Sequence, residues 1–140
     1  MILDTNVVSE AISVRPDQAV MRWFATLDPD VLWVPSVVKA ELLAGVAFLP
    51  AGRRRDVLGA MIGEFLEPHE AERILPFESA DAPLFAKVLA LRRSAGRPVK
   101  ELDAQIAAIA LRRGLPIATR NVRDFEDCGV TLINPWDPTR

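Results

Sequence analysis

Short apolar runs, each too brief for a helix, alternate along this chain with longer stretches of helical spacing. Strands separated by helices cannot be joined by tight hairpins. They run parallel and need helices on both faces of their sheet. MIL at the start reads as the first strand. VLWV, residues 31–34, reads as the second, ended by Pro35. Residues 73–76 form a short strand at an edge, and residues 116–119 and 130–133 form the last two. Between them the spacing predicts a short helix over residues 7–12. After Pro16, a second helix carries Val20, Trp23, Phe24 and Leu27 on one face. Ser36 is placed to cap a third over residues 37–49. Pro50 to Gly52 break it before a helix over 53–66. Two more run over 82–94 and 102–113, the latter stopped by Gly114. A short helix near 122–127 precedes the last strand. There are no repeats or linkers, so residues 1–140 are expected to form one α/β domain. Sheets of this kind bind ligands outside the carboxyl ends of their strands.

Half the residues are apolar, enough for a sizeable core, and the net charge is -2. That charge excludes a simple basic nucleic-acid binder. Arginines are nevertheless clustered at 53–55, 92–93, 97, 112–113, 120 and 123, so a local cationic surface is open. Cys128 is the only cysteine and His69 the only histidine. Together they exclude an internal disulfide, a cysteine-based zinc site, an H-E-x-x-H site and a paired-histidine ribonuclease. No G-x-S-x-G elbow supports a serine nucleophile. No leader pattern and no apolar run of membrane length is present, which predicts a soluble, cytoplasmic protein with no membrane contact.

Several acids sit where a core would not place them. Asp4 follows the first strand, on the rim where ligands bind; its ordinary role there would be a helix cap. Glu41 has Val37, Val38, Ala44 and Gly45 three and four residues away, which puts its carboxylate on an apolar helix face. An unpaired charge there costs several kcal/mol or neutralises. Asp103 lies in the first turn of an almost wholly apolar helix, where the dipole alone would favour it. Asn121 and Asp124 follow the strand PIAT, repeating the layout of Asp4. Two like charges about 4 Å apart repel by about 4 kcal/mol at an effective dielectric near 20. Acids that converge therefore call for a cation. Oxygen ligands suit Mg²⁺ or Mn²⁺, and such an ion can make a water nucleophilic toward phosphorus.

The blocks MILDTNVVSE, PSVVKAELLAGV, ELDAQIAAIAL and LPIATRNVRDFE, in this order, resemble the PIN-domain ribonucleases. Within them they resemble the toxins of bacterial VapBC-type toxin–antitoxin pairs, VapC, and in particular the FitB-like branch, whose ending the final INPW also matches. The resemblance implies a three-layer α/β/α sandwich around a parallel sheet of about five strands. It implies Mg²⁺- or Mn²⁺-dependent endonucleolytic cleavage of RNA and a homodimer. It also implies a VapB-type antitoxin that blocks the site and binds operator DNA. By position, Asp4, Glu41 and Asp103 match the family's acidic triad and would hold the metal. The family's fourth acid falls at Asn121, a departure, and Asp124 one turn on is the favoured replacement. Thr5 and Asn6 would orient Asp4. Arg120, Arg123 and Arg53 to Arg55 are candidate phosphate contacts. Trp23, Trp33 and Trp136 read as core residues or as dimer or antitoxin contacts. The alternative from another class is a catalytically inactive PIN-like module that only binds RNA or a partner protein.

Overall fold

The computed structural model of the protein describes residues 1–137. Its strands are short: β1 Ile2–Leu3, β2 Val34–Pro35, β3 Ile74–Leu75, β4 Ile117–Ala118 and β5 Leu132–Ile133. Every pairing is parallel, β1 with β4, β4 with β5 and β2 with β3. A parallel bridge between Ile2 and Trp33 joins the two pieces. There the Leu3 amide donates to the Trp33 carbonyl and the Trp33 amide to the Met1 carbonyl. The order across the layer is therefore β3-β2-β1-β4-β5. The chain first builds outward from β1 on one side, then returns to the other. The gap between the carboxyl ends of β1 and β4 is the switch point where such sheets bind ligands.

The helices are α1 Thr5–Ala11, α2 Gln18–Ala25, α3 Ser36–Ala47, α4 Arg53–Leu66, α5 Ala82–Ser94 and α6 Glu101–Arg113. Helices α4 and α5 have the bounds their sequence predicts. Helix α1 starts earlier than expected because Asp4 caps it, accepting from the Thr5 amide at 2.8 Å. Four local expectations are corrected. Residues 31 and 32 are not strand, because the Asp28 side chain accepts from the Asp30 amide and turns Pro29–Val31 into a 3-10 helix, and Trp33 joins β1 only through a bridge. Pro35 does not end β2 from outside but is its last residue, in register with Leu75. Ser36 does not cap α3; Pro35 occupies the cap position and no side chain bonds there. The expected helix near 122–127 is a 3-10 turn, Val122–Asp124.

Helix α6 is the central one, with Ala104, Ile106, Ala107, Ala108, Ile109 and Ala110 all fully buried. Its small side chains let neighbouring backbones approach closely. It ends at Gly114, whose φ of 64° is the left-handed cap that glycine adopts without a Cβ clash. The Leu115 amide then bonds back to Ala110 O at 3.0 Å and turns the chain into β4. Among the described residues no helix is long and apolar enough to cross a membrane.

An ion-pair staple fixes α5 against α6. Asp81, fully buried just before α5, accepts from Arg112 Nε and from the Glu78 amide, with Arg113 Nη1 at 3.7 Å. Burial pushes the Asp81 carboxyl up, but the Arg112 hydrogen bond and the nearby positive charges outweigh it, so its pKa lies below the ordinary value. A depressed carboxylate stabilises the fold above its unfolded pKa, and that stability is lost as pH falls through the folded value. Asp81→Asn should therefore cost about 2–3 kcal/mol at pH 7, since it takes the buried charge partner from Arg112 and Arg113 and leaves them Glu78 alone. In urea titrations the gap between variant and parent should close below about pH 4.

Candidate active site

The Leu3–Ala118 register sets the ends of β1 and β4 side by side. Asp4 follows β1, only 6% exposed, and its amide donates to Ala118 O at 3.0 Å. Thr119 follows β4 and is fully buried. Its hydroxyl donates to Asp4 Oδ2 at 2.7 Å, and Asn6 Nδ2 donates to the same oxygen at 3.1 Å. The Asp4 side chain is thus cap and cleft wall at once, Oδ1 serving α1 and Oδ2 facing Thr119. These bonds use three of its roughly four acceptor positions and fix its rotamer.

The other acids arrive from separate elements. Asp103 is in the first turn of α6, half-buried, with no hydrogen bond or ion pair to any described residue. Glu41 comes from α3, and its Oε1 accepts from Thr5 Oγ1 at 2.8 Å. Asp124 comes from the 3-10 turn after β4, and Asn121 stands before it, its amide donating to Thr119 Oγ1 at 3.0 Å. All five side chains, Asp4, Glu41, Asp103, Asn121 and Asp124, line one cleft of about 490 Å³. Lys100, Arg120 and Trp136 line it too.

The family description that matches residues 1–129 is the PIN domain. The chain belongs to the PIN-domain family. It is 37% identical over 139 residues to the VapC ribonuclease Y4jK of Sinorhizobium fredii, spanning 99% of each chain. It is 33% identical over 136 residues to the toxin FitB of Neisseria gonorrhoeae, spanning 97% of this chain and 98% of that one. A solved structure of FitAB bound to an IR36 DNA fragment superposes with a TM-score of 0.90 at 32% identity, over 96% of this chain and 94% of that one.

In this PIN domain the acids feel one another. Burial, then the charges of Asp4, Asp124 and Glu41, push the Asp103 pKa up to about 6, against a smaller opposing effect from Lys100. Burial also raises Asp4, outweighing its hydrogen bonds from Thr119, Thr5 and Asn6. The expected gathering is real at the level of the cleft but looser than a finished ligand set. Among the described residues, no three acid, histidine or cysteine side chains stand close enough to share an ion as they are. Bare carboxylates repel one another, so bringing them closer calls for a cation to offset the charge. The donors themselves fit a hard divalent ion: carboxylate oxygens, with no histidine or cysteine in the cleft.

Glu41 corrects the sequence reading. Its helix face is apolar, yet the residue is exposed, because it stands at the edge where that face passes from the fully buried Val38 to the exposed Gly45. Periodicity marks an apolar face but not what covers it. The cationic clusters are corrected too. Arg53 and Arg54 line a separate groove with Ile12, Val14 and Met61, away from the acids. Arg112 and Arg113 belong to the Asp81 staple. Arg97 pairs with Glu126 and Asp127. Arg92 is buried and donates from Nη1 to the carbonyls of Arg123 and Glu126. Arg92 and Arg97 thus grip the loop that carries Asp124. Of the arginines singled out as phosphate contacts, Arg120 is the one lining the cleft. Among the tryptophans, Trp23 is core and Trp136 faces the acids. Thr119 was missed, although a polar residue continuing a buried strand, next to the acids' loop, was its visible signal.

A raised carboxylate binds a proton in the folded chain that the unfolded chain has already released, so it costs stability above its folded pKa. In metal-free buffer the protein should therefore gain stability, relative to Asp103→Asn, as pH is lowered from 8 through 6 toward 4. Solvent screening at this half-buried site limits the gain to roughly 1 kcal/mol. Thermal melts of both proteins across that range check it; parallel curves would show that Asp103 is not destabilised by its neighbours.

Proposed function

We propose that this PIN domain is the toxin of a type II toxin–antitoxin pair and an endoribonuclease that hydrolyses RNA phosphodiester bonds. One observation carries the reading. Carboxylates from the end of β1, α3, α6 and the loop after β4 line a single cleft at the strand-order switch, and burial together with the charges of Asp4, Asp124 and Glu41 raises the proton affinity of Asp103. Such a group is costly to maintain without a cation to neutralise it. The names of its relatives, a VapC ribonuclease and a FitB toxin, point to the same activity. The chain would act as one domain in the cytoplasm.

Asp4, Asp103 and Glu41 are the residues that would hold Mg²⁺ or Mn²⁺, with Asp124 as the fourth acid and Asn121 shaping the cleft. The ion would supply charge neutralisation at the phosphate and a lowered pKa for the attacking water. The chain's own groups do the rest. Asp4 is held in one orientation by hydrogen bonds from Thr119, Thr5 and Asn6. Glu41 is exposed and oriented by Thr5, positioned to take the proton of the attacking water. As that oxygen bonds to phosphorus, the opposite P–O bond breaks. Lys100 and Arg120 offer positive charge on the cleft wall to the phosphate.

The partner is a VapB-type antitoxin, through which operator DNA would be bound, and the working unit is a homodimer. A groove of about 450 Å³ lined by Ile12, Val14, Val57, Leu58 and Met61, bordered by Arg53 and Arg54, suits an amphipathic antitoxin segment. Val14 is 94% exposed there and Phe48 nearby in sequence on α3's end is 85% exposed. Apolar side chains this bare are what a partner covers.

Purified, antitoxin-free protein should cut defined RNAs with Mn²⁺ present, stop in EDTA and resume on Mn²⁺ addition. Asp4→Asn should lower the rate by at least about a hundredfold while keeping the fold, since asparagine still caps α1. Cleavage by Asp4→Asn at the parental rate would remove Asp4 from the site. RNA binding without turnover in Mn²⁺ would favour the inactive module, to which the uncharged Asn121 lends some support.

A further inference from the structure

The cleft contains a pair of side chains, Arg120 and Trp136, whose contact with each other the hydrolytic roles do not explain. The Arg120 guanidinium lies over the Trp136 ring, 5.1 Å from its centroid. No cleft carboxylate holds Arg120 in a salt bridge, although five of them, Asp4, Glu10, Glu41, Asp103 and Asp124, share the cavity with it. Trp136 is half-buried, packed against the core on one side and lining the acidic cleft on the other. Both are fixed by their backbones. The Arg120 amide donates to Asn6 Oδ1 at 3.1 Å, and the Trp136 amide donates to Asn134 Oδ1 at 3.0 Å. Asn6 also donates to Asp4 Oδ2. Asn6 therefore links the backbone of Arg120 directly to Asp4.

A guanidinium in cation–π contact with an indole, on the wall of a phosphate-cleaving cleft, is the chemistry that receives a nucleobase face. We propose that Arg120 and Trp136 form a stacking platform for one unpaired nucleobase beside the scissile phosphate. The substrate class is then RNA with that base unstacked, in a single strand or a loop. A duplex, whose bases already stack on each other, is excluded. Arg120 thereby changes from a point charge for phosphate to a planar surface, for which lysine cannot substitute. This inference rests on the ribonuclease reading.

The test uses the full chain and a fluorescein-labelled single-stranded RNA spanning its mapped cut site. The same RNA annealed as a duplex and the same strand with an abasic ribose beside the cut complete the set. Binding is read by anisotropy in EDTA and turnover in Mn²⁺. Trp136→Ala and Arg120→Lys should each raise Kd and KM about tenfold, with kcat changed far less, and Trp136→Phe should stay near the parent. The abasic strand should bind the parent about tenfold more weakly and lose nothing further with Trp136→Ala. Should Trp136→Ala prove unfolded by its melt, Arg120→Lys carries the same comparison from the surface. Parental affinity in Arg120→Lys, equal losses on intact and abasic strands, or duplex bound as well as single strand would each overturn the platform and leave the ribonuclease reading standing. So would a Trp136→Ala protein that binds RNA normally but escapes antitoxin inhibition, which would assign the pair to that partner. If the parent itself neither binds nor cuts any RNA, the ribonuclease reading falls and the platform with it.

Discussion

The bond between Thr119 and Asp4 ties together what the rest of the structure serves. It closes the gap between the carboxyl ends of β1 and β4, residues 115 positions apart in the chain. A buried carboxylate without donors would shift its pKa and neutralise. Here the Thr5 amide, Asn6 and Thr119 surround Asp4 and hold it in one orientation. Thr119 in turn accepts from the Asn121 amide, and Asn6 from the Arg120 amide, so the loop after β4 is hung on the same network. The strands need be only two residues long because these side chains lock their register.

Around that point the chain accumulates charge repulsion and contains it structurally. Asp103 sits at the start of α6 without a neutralising partner, pressed toward protonation by burial and by Asp4, Asp124 and Glu41. The arginines that could have neutralised the cleft are engaged elsewhere, stapling α5 to α6 through Asp81 or gripping the 122–127 loop from α5. The cleft acids are left without arginine salt bridges, while Arg92, Arg97, Arg112 and Arg113 hold other parts of the fold together.

Legibility from sequence followed the range of each interaction. Helices α4 and α5 were readable to their ends because spacing, glycine and proline act within a few residues. Asp4, Glu41, Asp103, Asn121 and Asp124 were also readable as residues of interest, since each breaks a local rule: a polar group at a strand tip, on an apolar face or in the first turn of a buried helix. Strand bounds near residue 31 were not, because a single Asp28 side-chain bond preferred a 3-10 turn to extension. Glu41's exposure was illegible for a different reason. The apolar face of α3 looks the same whether or not anything packs on it.

The sequence by itself determined the alternation of strands and helices, and with it a parallel sheet with acids at its carboxyl rim. Helical and strand periodicity, caps and breakers are local, so neighbouring residues suffice to specify them. Only the tertiary structure decided that Thr119 holds Asp4, that Arg92 is buried under the Asp124 loop, and that Trp136 meets Arg120 in the cleft. Those contacts depend on the register between β1 and β4 and on which side chains the core leaves uncovered. Packing of distant segments sets both, and no short stretch of chain encodes them.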